Sequence, residues 1–140
     1  MSRSGYSDDC DNFDLICWRG AVARAIRGKK GQAFLLEMWK AITALPEPKL
    51  IANNLVEKEG AVCAMGAVGK QRGLDMSALD PEDPQGVAGA FGINEKLAME
   101  IAYMNDEGGP YKETPEERHA RMKKWIENNL LPVDIVETTE

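Results

Sequence analysis

Apolar residues along this chain recur mostly at helical spacing, in segments separated by clusters of Gly, Pro, Asn and Asp. Phe13, Ile16, Val22 and Ile26 lie on one broad stripe with Trp18 at its margin, which predicts a first helix starting near Asp11 or Asn12. Either residue suits the cap position, where a side-chain oxygen accepts from the free N–H groups of the first turn. Gly28 is expected to end this helix, because glycine tolerates the left-handed conformation common at helix C-termini. Phe34, Leu35, Met38, Trp39 and Ile42 give a second helix, about residues 32–45, one apolar face, and Pro46 and Pro48 end it.

The stretch from Lys49 to Arg72 changes period. Leu50, Ile51, Leu55 and Val56 precede the turn-like Glu57-Lys58-Glu59-Gly60, whose glycine is placed for a positive φ, and Ala61-Val62-Cys63 follow. This predicts a short β-hairpin, about residues 50–63, running into a helix of small residues from Cys63 to Gln71. Ala64, Gly66, Ala67 and Gly69 permit close backbone approach, which suits tight packing against another helix; the spacing is not that of a phosphate-binding glycine loop. Asp80 to Pro84 reads as a turn, Pro84 to Phe91 as a short helix broken at Gly92, and Asn94 as the cap of a helix with Leu97, Ile101 and Met104 inward. Asn105 to Pro110 reads as a loop. Thr114, Pro115 and Glu117 then make a capping box with proline at the first helical position, opening a helix to about Asn129 with Met122, Trp125 and Ile126 inward.

These elements predict a mainly α fold: a compact helical domain of five to six helices with one short β-hairpin, residues 1–140 forming a single domain. Residues 1–11 are expected to form an irregular acidic arm and 133–140 a flexible tail. Trp18, Phe34, Trp39, Phe91 and Trp125 are the large core candidates.

Composition narrows the class. A chain of 140 residues with 44% apolar content buries enough surface to fold without a disulfide or a metal. The longest apolar run, Ala61 to Val68, is too short to span a bilayer, and the polar N-terminus lacks the apolar core of a signal peptide. No membrane partner is expected, and the expected location is cytoplasmic. Cys10, Cys17 and Cys63 therefore read as free thiols.

The formal net charge of -6 argues against a bulk basic nucleic-acid binder, but its distribution changes that picture. Residues 18–32 hold Arg19, Arg24, Arg27, Lys29 and Lys30 with no acid, a net +5. Residues 1–17, with Asp8, Asp9, Asp11 and Asp14, sum to -3, while 74–100 sum to -5 and 101–140 to -4. The five cations and the neighbouring Asp8, Asp9 and Asp11 are the candidate partner-binding residues. Either the acidic arm neutralises the junction between the first two helices within the fold, or the junction is free for a partner. Cations near a helix C-terminus also complement its dipole with no ligand at all.

Catalytic chemistry finds little support. His119, the single histidine, stands mid-helix among Arg118, Arg121 and Lys123, is expected at the surface, and leaves a nucleophile without its usual base. Cys63, at a helix start where a thiol can be activated, is expected instead as a small buried apolar residue. A zinc site would need all three cysteines and His119 at spacings that fit no common pattern. Asp106 and Glu107 lack EF-hand spacing, and the Asp8, Asp9, Asp11 group, although dense enough to attract Mg²⁺, reads as a solvated arm. No catalytic residue, metal or cofactor is assigned.

The stretches Ser2 to Asp9, Trp18-Arg-Gly-Ala-Val22, Ala25 to Gln32, Val62 to Gly69 and Tyr103-Met-Asn-Asp-Glu107 resemble a family of small uncharacterised proteins encoded by phages and prophages of proteobacteria. The resemblance covers roughly residues 2–130, and the order of a Gly turn, Val-Cys-Ala-x-Gly-Ala, Asn-Asp and a Thr-Pro-Glu helix is also similar to a broader domain of unknown function. It carries over no activity and no catalytic residue, and it would place an aromatic where this chain has His119. What it implies is a non-enzymatic accessory protein that binds a host protein, including defence complexes (anti-CRISPR-like or other anti-defence). A nucleic-acid-binding regulator using residues 19–30 and a small enzyme using Cys63 or an acidic metal site are the alternatives.

Overall fold

The computed structural model describes residues 3–4 and 12–132, with side chains for all of these but 12–15. The described fold is mainly helical: α1 (Asn12–Arg27), α2 (Lys29–Thr43), α3 (Ala64–Arg72), α4 (Pro84–Phe91), α5 (Glu95–Glu107) and α6 (Pro115–Asn129), with a 3-10 turn at Met76–Ala78. The end signals act largely as their residue types dictate. Asn94 Oδ1 accepts from Lys96 N at 2.8 Å, and Thr114 and Glu117 exchange the two bonds of a capping box at the start of α6.

Two helices organise the packing. α2 lies against α1, α3 and α6, and α5 lies against α1, α3, α4 and α6. Leu35, Met38 and Ile42 of α2, Leu97 and Ile101 of α5, Met122 and Ile126 of α6 and Val68 of α3 meet in one continuous core. Each such side chain contributes about 1.5–3 kcal/mol by leaving water. Phe34 and Phe91 are buried edge to face, 6.1 Å apart, beneath the Arg72 guanidinium, which also pairs with Glu37 at 2.6 Å. The three tryptophans expected in the core are only half-buried. Trp39 shows why: its Nε1 donates to Glu127 at 2.8 Å and its ring lies under Lys123, so its polar edge is used at the rim between α2 and α6.

The β-hairpin expected over residues 50–63 does not form. The segment is extended, turns at Glu57–Gly60 with Gly60 at φ 92°, and is closed by a single antiparallel bridge, Val56 to Val62. Ile51 N, Glu57 N and Cys63 N bond across the segment to Val62 O, Ala61 O and Leu55 O, but other backbone groups of the segment are taken by helices and no strand ladder forms. Leu50 N donates to Pro115 O, Leu50 O accepts from Arg118, Ile51 O accepts from Asn105, and Asn53 N, at a positive φ, donates to Asp106.

Two boundaries also differ from expectation. α2 begins at Lys29, three residues earlier than the apolar pattern suggests, so a single residue separates it from α1. α5 runs through Asn105 and Asp106 to Glu107, where a loop is expected. Arg121 of α6 supports that last turn by donating to Met104 O and Asn105 O, and it pairs with Glu113 at 2.6 Å.

The hydrogen bond from Arg121 holds the Glu113 carboxyl below a glutamate's ordinary 4.5, against the opposing effect of burial. A depressed folded-state value means stability that is present above the ordinary value and lost as pH falls through the depressed one. Urea midpoints measured from about pH 6 down to pH 2.5 are expected to fall less steeply for Glu113→Gln than for the parent. Parallel curves would mean that this carboxylate does not govern the acid limb.

Candidate functional site

The basic segment forms the corner between α1 and α2. Gly28, expected in the left-handed region, is extended (φ −69°, ψ 162°) and serves as N-cap of α2 with no side-chain cap. The glycine the corner requires is Gly31: a Cβ there would stand 1.9 Å from Ala25 O and 2.9 Å from Ile26 O. Gln32 then ties three helix ends together. Its buried Nε2 donates to Ile26 O at 2.8 Å and Asn129 O at 2.9 Å, and its Oε1 accepts from Leu131 N at 2.9 Å. The end of α1, the start of α2 and the end of α6 are thereby held as one unit.

From this unit Arg19, Arg24, Arg27, Lys29 and Lys30 all project into solvent. Among the described residues none of the five makes an ion pair. Arg3, Lys49, Arg72, Arg118 and Arg121 by contrast are each paired with a carboxylate. Asp8, Asp9 and Asp11, the proposed acidic neighbours, lie outside the described residues, as does the side chain of Phe13. Ile16, expected inward, is 70% exposed. At 100° per residue it stands opposite Trp18, Val22, Ala25 and Ile26, the face α1 turns to the core.

A second polar assembly went unrecognised in the sequence. Arg3 reaches into the body of the protein and bonds Asp106 through Nε at 2.6 Å and Nη2 at 2.8 Å, with side chains only 4% and 2% exposed. Asp106 Oδ1 also accepts from Asn53 N and Asn105 Nδ2. Fully buried Asn105 accepts from Ala64 N and donates to Ile51 O. Arg3 Nη1 lies 3.6 Å from Cys63 Sγ, which in turn accepts from Gly66 N at 3.3 Å and caps α3. The available signal was the Asn105-Asp106 pair, read as loop chemistry because those residue types favour turns.

Cys63 is buried, as expected, its polar neighbour is a cation rather than a base, and Asp106 is occupied by Arg3. The cleft beside this assembly is lined by Arg3, Leu55, Met65, Pro81, Val87 and Ala98 and is mostly apolar.

His119 is also buried, contrary to expectation, and its Nε2 donates to Ile42 O at 2.8 Å, since a carbonyl can only accept. Its cationic neighbours in sequence misdirect; His119, Met122 and Ile126, at i, i+3 and i+7, share the inner face of α6. Among the described residues no group of three His, Cys, Asp or Glu side chains is placed to hold a metal ion. Nor is any helix among them long and apolar enough to cross a membrane. Comparison with known proteins finds no match: no family model, no curated protein and no solved structure aligns significantly with this chain.

Proposed function

We propose that this chain is a non-enzymatic accessory protein that binds another protein through the basic corner of α1 and α2. The observation that carries this reading is the set of five exposed cations with no ion pair among the described residues, mounted on a corner that Gly31 and Gln32 hold in place. Like charges gathered on one surface repel one another, and among the described residues no carboxylate forms an ion pair with them. A partner that brings carboxylates relieves that repulsion at a surface already shaped to receive it, which lowers the cost of ordering on binding. The phage-type resemblance supplies the kind of partner: a host protein in the host cytoplasm, with a defence complex as the specific expectation.

The test is capture from a proteobacterial lysate with the parent and with a variant carrying Arg24→Glu, Arg27→Glu, Lys29→Glu and Lys30→Glu. All four sites are exposed, so the stability cost is expected to stay within about 0.5 kcal/mol per site. The expected result is a discrete protein retained by the parent and lost by the variant at unchanged helical content. Equal recovery by both would remove the corner from consideration.

A further inference from the structure

The outer face of α1 carries more than charge. Ile16, Gly20, Ala23 and Arg27 follow one another at i, i+4, i+7 and i+11, and so form a single line along the side of the helix away from the core. Arg19 flanks this line on one side and Arg24 on the other. The line therefore begins at a large exposed apolar side chain, passes over two small residues, Gly20 with the Arg24 guanidinium beside it and then Ala23, and ends among cations continuous with Lys29 and Lys30. α1 has 16 residues, a ridge of about 24 Å.

Resting on the protein-binding reading above, we infer that this face receives an acidic amphipathic helix of the partner. Its apolar stripe would cover Ile16 and lie along the line of Gly20 and Ala23, and its carboxylates would meet Arg19, Arg24 and Arg27, drawing the Arg24 guanidinium off Gly20. Helices pack about 8–10 Å apart depending on the side chains at the contact, and small residues such as Gly20 and Ala23 favour the closer approach. Two further observations favour a protein helix over a nucleic acid. An exposed Ile at the head of the line gains nothing from a phosphate backbone but does gain from burial against an apolar side chain. In addition, removing the +5 of residues 18–32 from the total of -6 leaves -11 on the rest of the chain, which repels a long polyanion while a short helix stays over the cationic face. Pairing of two α1 faces in a dimer is disfavoured because it would set arginines against arginines.

Fluorescence anisotropy with three probes tests this at about 50 mM salt. The probes are a helical peptide of about 18 residues with Leu at i, i+4 and i+7 flanked by Glu, the same peptide with Gln for Glu, and a DNA duplex of about 20 base pairs. The acidic peptide is expected to bind at least about tenfold more tightly than either of the others. Ile16→Ser should weaken it about fivefold or more, and Arg24→Glu with Arg27→Glu at least about tenfold. An unchanged affinity for Ile16→Ser, with the charge variant still disrupting binding, would overturn the helical-stripe inference and leave the basic corner as a protein-binding surface. Tighter binding of the duplex would overturn both. Absence of binding to the acidic peptide, or association of the chain with itself through α1, would overturn the inference alone.

Discussion

Asp106→Ala is expected to lower the stability of the protein by about 3 kcal/mol, the lower end of the cost of stripping one partner from a buried ion pair. The carboxylate accepts from Arg3 through both oxygens and from Asn53 N and Asn105 Nδ2, so its loss leaves a buried cation without its counter-charge, while Asn105 Nδ2 keeps Ile51 O and Asn53 N is open to water. The long Arg3 side chain can turn its guanidinium toward water once Asp106 is gone, which is why the cost belongs at the low end. That escape carries a second consequence. Arg3 covers Cys63, so the variant should expose this thiol to a water-soluble thiol reagent that reaches it slowly in the parent. Equilibrium urea denaturation and thiol titration check the two effects. A loss below about 1 kcal/mol with Cys63 still protected would show that the pair is not holding the N-terminal residues in place. Replacing both partners, Arg3→Met with Asp106→Leu, should cost less than Asp106→Ala alone, because no unpaired charge then remains inside.

Gly66→Ala is the other large effect, about 3 kcal/mol or more. A Cβ at this position would stand 1.9 Å from Leu55 O and 3.1 Å from Val62 Cβ. The obstructing atom is backbone, so no rotamer change relieves the clash. Leu55 O also accepts from Cys63 N at 3.2 Å, so moving it away would loosen the cap of α3 along with the extended segment. Gly89→Ala is the control: it lies on an exposed turn of α4 with nothing near its Cβ direction, and alanine there should stabilise by up to about 1 kcal/mol. Thermal denaturation followed by circular dichroism should move the two midpoints in opposite directions. A neutral Gly66→Ala would mean that α3 can retreat from Leu55 at little cost.

The small residues of α3 were recognisable from their pattern as helix-packing residues, and α3 does lie against α2 and α5, but what its two glycines meet was not legible. Gly66 meets the carbonyl of Leu55 and Gly69 meets Met76 of the 3-10 turn, a loop atom and a side chain from opposite ends of a long segment. The apolar periodicity of residues 50–63 carries information about burial, and Leu50, Leu55 and Val62 are indeed buried, yet burial alone does not specify where backbone N–H and C=O groups bond. Here some bond across the segment itself, while those of Leu50, Ile51 O and Asn53 N bond to Pro115, Arg118, Asn105 and Asp106, partners more than 40 residues away, which no local pattern reveals.

For the candidate surface the division is sharper. The five cations of residues 18–32 and the absence of acids among them are plain in the sequence, as are the helices that bear them. Whether those cations pair is a question of three-dimensional distance, and the structure leaves them without an ion pair among the described residues while giving Arg3 to Asp106, 103 residues away. Helical periodicity, capping boxes and proline stops are local free-energy terms acting over a few residues, so the chain itself dictates the six helices of the described residues and most of their ends. The outward turn of Ile16, the burial of His119 and the closing of Cys63 beneath Arg3 depend on which faces meet, and only the packed fold decides that.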